Sequence, residues 1–340
     1  MRIAVLGAGA AGARVVRQLV ATPAVKRVLV TDGDQNRARL VTQSMAEGDR
    51  VRERSAGDAW WKGADVAVLA GPGGDHGRMA ERLLADGVSV VSVSADVADA
   101  RALLDLDEHA RERGCTVVIG AGFSPGLTCL LSTQGAWSLD AVDEVHVART
   151  GTGGPACAAD GLRARRGEVI EWRDGQWSGR PAGGGRELCW FPEPVGAREC
   201  YPVATGDALM LVPAFPGVRR VSSRSASGRW DGVATRLAPL RRRRGEGQLG
   251  AVRVEVRGRR GEAQDNVVLG AVDRPAVAAG AVAAVAALAV AGGRLARHGA
   301  GGLAELAPAS GLLADLARRG VKVAVLDPPG ASSGGGPEIV

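Results

Sequence analysis

Residues 1–20 read MRIAVLGAGAAGARVVRQLV, with the spacing G-x-G-x-x-G at Gly7, Gly9 and Gly12. Glycine is abundant, at 50 of 340 residues, so the flanks of this turn decide its meaning. Before it, Ile3, Val5 and Leu6 form a short apolar run suited to a buried parallel strand. After it, Val15, Val16, Leu19 and Val20 share one face of a helix. Gly7 then permits the tight turn, Gly9 lets a pyrophosphate approach the main chain, and Gly12 lets the helix lie close to the strand. Ala8, Ala10 and Ala11 complete the turn, and the helix start offers unpaired N–H groups and partial positive charge to phosphates. The second strand, RVLVTD at 27–32, ends in Asp32, 20 residues after Gly12, where a ribose-binding carboxylate belongs. Asp32 would repel a 2′-phosphate, and Gly33 follows it where an arginine could have stood. NAD(H) is favoured on these grounds, with NADP(H) possible through Arg37 or Arg39.

Working outward, strands are expected at 50–53, 64–70, 89–94 and 115–119, and helices at about 76–86 and 97–113. This alternation predicts an α/β fold, a Rossmann doubly wound parallel sheet over residues 1–128. Ligands bind beyond the carboxyl ends of such strands. Gly71, Pro72, Ser94, Phe123, Ser124 and Gly126 all lie there, and His76 opens the helix after GPGG. Residues 129–272 change pattern and predict a second α+β domain with a mostly antiparallel sheet. Its strands are expected at 142–148, 168–177 (a hairpin turning at Asp174-Gly175), 186–191, 209–213, 219–224, 250–257 and 266–271, with one short helix around 155–166. Residues 273–326 read as a buried helix over 275–291 capped by Asp273, a helix over 302–319, and a strand at 321–326 returning to the first sheet. The tail from 327 to 340 is expected to be disordered.

Net charge is +6, but only three of the basic residues are lysines, Lys26, Lys62 and Lys322. The one dense basic run, Arg241–Arg244, has no aromatic stacking pattern around it and reads as a solvated loop, which argues against a nucleic-acid partner. The Ala- and Val-rich 275–291 is short for a bilayer span, so no membrane is implied. Five cysteines show neither C-x-x-C nor ligand spacing with the four histidines, which argues against a metal site. A reduced, cytoplasmic setting fits this usage. Trp172, Trp177, Trp190, Phe191, Tyr201, Phe215 and Trp230 cluster in the second domain and read mainly as packing.

The segment Gly120-Ala-Gly-Phe-Ser-Pro-Gly126, opening a helix at 127–131, follows VLGAGAAG at 5–12 and LVTD at 29–32. Together they resemble the saccharopine dehydrogenase-like family, which includes saccharopine reductases and carboxynorspermidine dehydrogenases. The likeness covers residues 1–150 well and is fainter beyond, where GTGGPAC at 151–157 is similar to the family's substrate-side loop. The resemblance implies a bilobal NAD(P)-dependent oxidoreductase. Its substrate would be a small amino-acid-like imine or secondary amine, with the nicotinamide near Gly71–Pro72 and Phe123–Gly126. One departure stands out. Lysine-forming members use a Lys and His pair for acid–base work, and no lysine occurs here between 63 and 321.

Candidate substrate-side residues are Arg198 and Tyr201 in PVGARECYPV, Arg224 in SSRSAS, His146 on its strand, and Cys157. The arginines would grip a carboxylate and Tyr201 or His146 would move a proton. The same residues also fit a dehydrogenase of a carbonyl or hydroxy compound, a redox-neutral enzyme retaining NAD, or a non-catalytic NAD(H)-binding protein. The antiparallel sheet is expected to support a homodimer.

Overall fold

In the computed structural model, which describes residues 1–57, 59–226 and 248–326, the opening run forms strand β1 (Arg2–Leu6). Its Ile3, Ala4 and Val5 are fully buried, and the glycine turn leads into helix α1 (Ala10–Val20). β1 lies between β2 (Arg27–Thr31) and β4 (Val66–Leu69), parallel to both. β3 (Val51–Glu53) extends the sheet past β2, and β5 (Ser89–Ser92) and β6 (Thr116–Ile119) extend it past β4. The order β3-β2-β1-β4-β5-β6 is the doubly wound one, and it sets all the strand-end loops along one edge. Helices α2 (Gln35–Met45), α3 (His76–Ala85), α4 (Val97–Leu104) and α5 (Asp107–Glu112) make the crossovers. The single helix expected over 97–113 is therefore two.

A buried helix, α6 (Leu127–Ala136), links this sheet to a second one. The second sheet comprises β7 (Ala141–Thr150), β8 (Glu168–Arg173), β9 (Gln176–Pro181), β10 (Glu187–Trp190), β11 (Ala197–Pro202), β12 (Arg220–Ala226), β13 (Gly250–Arg260), β14 (Ala263–Asp273) and β16 (Val323–Val325). Its order is β10-β11-β12-β7-β13-β14-β16, with the β8–β9 hairpin attached to β12. All its pairs are antiparallel except β12 with β7. Asp174 and Gly175 both have positive φ, 49° and 79°, as a two-residue hairpin turn requires. The sheet has two unlike faces. Val145, Val147, Val254 and Val256 point inward, and Gly135 of α6 packs against Val256. Glu144, His146, Ser222, Glu255 and Arg257 alternate with them and point the other way.

Several expectations are corrected. Residues 209–213 are not a strand: helix α8 (Asp207–Leu211) runs into a 3₁₀ turn at Val212–Ala214. The loop read over PVGARECYPV is mostly strand β11. The strand at 323–325 does not return to the first sheet but pairs with β14. That sheet gains instead β15 (Gly299–Gly302), parallel to β6. Helix α9 (Pro275–Ala291) is not capped by Asp273; Arg274 is its N-cap residue, with no side-chain cap bond. The helix expected over 302–319 divides at Pro308 into α10 (Leu303–Leu306) and α11 (Ala309–Arg318). α7 (Pro155–Ala164) occupies the expected place. Trp230, Arg241–Arg244 and the tail from 327 lie outside the described residues.

The alanine richness of α9 has a packing cause. Thirteen of its 17 residues are buried, and a Cβ at Gly280 would lie 2.4 Å from the Arg14 Cβ of α1. Small side chains let two helices approach this closely. No helix among the described residues is long and apolar enough to cross a membrane.

Candidate active site

The glycine turn has the shape that a dinucleotide needs. A Cβ on Gly12 would lie 1.8 Å from the Gly7 carbonyl oxygen, so the close approach of α1 to the β1 end depends on glycine. Gly7 has φ 104°, and its own Cβ would meet the main chain of Ala70 and Gly71 at 2.7 Å. Gly9 differs: nothing lies within 4 Å of its Cβ position, and open space stands over the turn. The first bond of α1 runs from Ala13 N to Gly9 O, leaving the N–H groups of Ala10, Ala11 and Gly12 directed out of the helix start.

Asp32 is held against this turn. Its Oδ2 accepts from Ala8 N at 2.6 Å and its Oδ1 from Asp34 N at 2.8 Å. A carboxylate has about four acceptor sites, so two remain for ribose hydroxyls. Arg37 faces Asp34 at 3.4 Å and Arg39 faces Glu53 at 3.9 Å. A 2′-phosphate here would meet Asp32 and Asp34 before a free guanidinium. The turn, the helix start and Asp32 fit an NAD molecule.

The next loops along the edge are tied by Asp99, which is 3% exposed. Gly74 N, His76 N and the Ser94 hydroxyl donate to it at 2.9, 3.1 and 2.6 Å. His76 is buried, with Nδ1 2.8 Å from Ser92 Oγ and the carbonyls of Gly71 and Pro72 beside the ring. Burial pushes its pKa below the ordinary value. His76 thus anchors the β4–α3 loop from beneath. Asp160 of α7 lies near this loop: burial, with the nearby Asp96 and Asp99 carboxylates, pushes its carboxyl up. Cys157, on the same helix, is exposed and unpaired.

Between the β5 and β6 loops lies a network absent from the sequence reading. Asp207, 1% exposed, accepts from Ser124 Oγ at 2.9 Å, Thr128 Oγ1 at 3.2 Å and Thr205 Oγ1 at 2.8 Å. Ser223 of β12 joins through Thr205 at 3.0 Å. This network fastens the Phe123–Gly126 loop to the second sheet. Arg149, on β7, also reaches that loop, donating to the Ser124 carbonyl at 3.0 Å. It has no carboxylate partner among the described residues.

The register shows which predicted residues share a face of the second sheet. Tyr201 pairs with Ser225, and Ser225 with Arg149, so the three form one row on the α6-facing side. Among the described residues no hydrogen bond satisfies the Tyr201 hydroxyl. Three other candidates lie on the other face of the sheet. His146 points to the opposite face, between Glu144 Oε2 and Ser222 Oγ at 2.8 Å each. Its pKa is lowered, burial outweighing Glu144. Arg224 faces the same outer side and pairs with Glu187 at 2.9 Å. Arg198 is exposed there, opposite Cys189, donating to the Ala197 carbonyl. The alternation of a strand was legible, but not which face met the cleft.

Comparison with known proteins agrees with this geometry. The NAD-binding domain of semialdehyde dehydrogenases matches residues 2–116. Saccharopine dehydrogenase (L-Glu forming) from Saccharomyces cerevisiae superposes with a TM-score of 0.69 at 14% identity, covering 96% of this chain and 100% of that one. UDP-N-acetylglucosamine 3-dehydrogenase from Acidithiobacillus ferrooxidans gives 0.47 at 15% identity, covering 94% and 95%. The chain thus has a dehydrogenase-type NAD-binding domain within the two-domain fold of saccharopine dehydrogenase, the likeness that its sequence motifs carry.

Proposed function

We propose that the protein is an oxidoreductase that uses NAD(H) in preference to NADP(H) and acts at the C–N carbon of an amino-acid-derived imine or secondary amine. The observation that carries this reading is Arg149. Its partly buried guanidinium has no carboxylate partner among the described residues and donates to the Ser124 carbonyl, on the loop where a nicotinamide would rest. A planar fork in that state suits a substrate carboxylate, which it binds bidentately. When bound, the nicotinamide supplies or accepts the hydride.

The chain's own residues hold and orient. Gly9, the α1 start and Asp32 hold the cofactor's phosphates and ribose. The Asp207 network fixes the Ser124 loop, and Arg149 fixes the substrate's carboxylate end. Tyr201 is the one hydroxyl in the Arg149 row long enough to reach a leaving or arriving proton. A protonated iminium needs little beyond orientation, which fits a cleft with no lysine. A carbonyl substrate would ask more of Tyr201. Homodimerisation through the second sheet belongs to the same proposal.

The test is to screen keto acids with amines for NADH oxidation, then to compare Arg149→Ala. Two charge-assisted hydrogen bonds contribute roughly 3 kcal/mol or more. The variant should therefore raise KM for the carboxylate-bearing substrate by about 100-fold, with NADH affinity within about twofold. An unchanged KM would remove Arg149 from the substrate site and with it the amino-acid reading.

A further inference from the structure

Cys189 and Cys200 belong to no part of the cleft, yet they are built as a pair. They sit on neighbouring antiparallel strands, β10 and β11, at the edge of the second sheet. Glu187 pairs with Cys200 and Cys189 with Arg198, so the two cysteines are diagonal neighbours on one face. Both thiols are reduced and buried, at 5% and 0% exposure, beneath Phe191 and Val195. Both belong to one small buried cluster with Ala148, Phe191, Val195 and Ala251. Two cysteines at unrelated places in a core do not meet in this way. These do because the antiparallel pairing of β10 with β11 sets them diagonally on one face.

The surroundings give the two sulfurs different characters. Contact with the Cys200 S–H, helped by the Arg253 and Arg224 guanidiniums, holds the Cys189 thiol below its ordinary value. The same contact and burial push Cys200 up. Cys189 is also the less buried of the two, at 5% against 0%, which suits it to attack and Cys200 to resolve.

We propose that Cys189 and Cys200 form a reversible disulfide when the protein meets a small hydroperoxide, and that closing this bridge displaces Tyr201. The Cys189 thiolate attacks one peroxide oxygen, the O–O bond breaks, and hydroxide leaves with a sulfenic acid on Cys189. The Cys200 sulfur then attacks the Cys189 sulfur, an S–S bond forms, and the sulfenic hydroxyl leaves as water with the Cys200 proton. Two thiols are oxidised and one peroxide is reduced.

The coupling to the cleft follows from sheet geometry. Diagonal neighbours have Cα atoms roughly 7–8 Å apart, whereas a relaxed disulfide needs about 4.4–6.8 Å. The bridge therefore draws the edge strands together. Tyr201 follows Cys200 directly and faces the cleft, so a shift of β11 moves it relative to Arg149. The inference of a bridge is independent of which substrate the cleft takes.

The test uses the full chain. Hydrogen peroxide treatment followed by peptide mapping should give a Cys189–Cys200 linkage, near-complete loss of both free thiols, and recovery with dithiothreitol. Cys189→Ser and Cys200→Ser should each abolish it. Tyr201 is the only tyrosine, so 3-fluorotyrosine labelling gives one ¹⁹F resonance. It should shift on oxidation of the wild type, return on reduction, and stay fixed in Cys200→Ser. If both thiols remain alkylatable after peroxide has oxidised the exposed Cys157, the bridge is overturned. A bridge with an unmoved resonance overturns the coupling to the cleft.

Discussion

Gly12→Ala is expected to cripple the first domain, whereas Gly9→Ala is expected to leave it folded and blind to the cofactor. The two substitutions add the same methyl group three residues apart. At Gly12 it would lie 1.8 Å from a main-chain oxygen and 2.8 Å from the Gly7 carbonyl carbon, neither of which belongs to a flexible side chain. Helix α1 would have to lift off β1, exposing Val15, Val16 and Leu19, all fully buried. Overpacking of this kind costs about 3 kcal/mol or more, and the variant should melt well below the wild type or fail to accumulate as soluble protein. At Gly9 the methyl group meets no protein atom, so the melting temperature should change little. The space it enters is where a pyrophosphate approaches the main chain, and NADH affinity should fall by about tenfold or more. Calorimetry with an NADH titration on both variants checks this. Equal effects of the two substitutions on stability would contradict the steric account.

Asp207→Ala is expected to have a comparably large effect through a different cause. The carboxylate is buried and accepts from three hydroxyls on three segments: the Ser124 loop, α6 and Thr205. Removing it leaves those hydroxyls without their acceptor in a dry site, at about 1–3 kcal/mol each. Unfolding should move down by about 5 °C or more, and NADH affinity should fall with it because the Ser124 loop loses its anchor to the second sheet. Asp207→Asn keeps the shape and part of the hydrogen bonding, so it should lie between alanine and wild type. Wild-type melting and binding in the alanine variant would mean that the network is decorative.

Much of the first domain was legible because its signals are local. The β1 strand, the turn and the α1 helix occupy 20 consecutive residues, and Asp32 closes the next strand. The final strand of that sheet was not legible, since Gly-Ala-Gly-Gly at 299–302 carries no apolar alternation. Its Gly302 answers to a tertiary neighbour, Met210, which no window along the chain reveals. The apolar run in α8 suited a strand or a helix equally. In the candidate site, the glycines and Asp32 could be read directly. Asp207 could not, because Ser124 and Thr128 lie 83 and 79 residues away from it. Arg149 closes an alternating strand, and period two says that His146 and Arg149 face opposite sides without saying which side meets the cleft.

Asp32 and the turn it braces decide which cofactor fits, so the decisive measurement is a fluorescence titration with NADH and NADPH of the wild type and Asp32→Ala. The wild type should bind NADH more tightly than NADPH. The substitution removes the acceptor of Ala8 N and Asp34 N as well as the ribose contacts, and it should weaken NADH by about 30-fold or more while narrowing the gap between the two cofactors. Tighter NADPH binding in the wild type, or NADH binding unmoved by the substitution, would contradict the account.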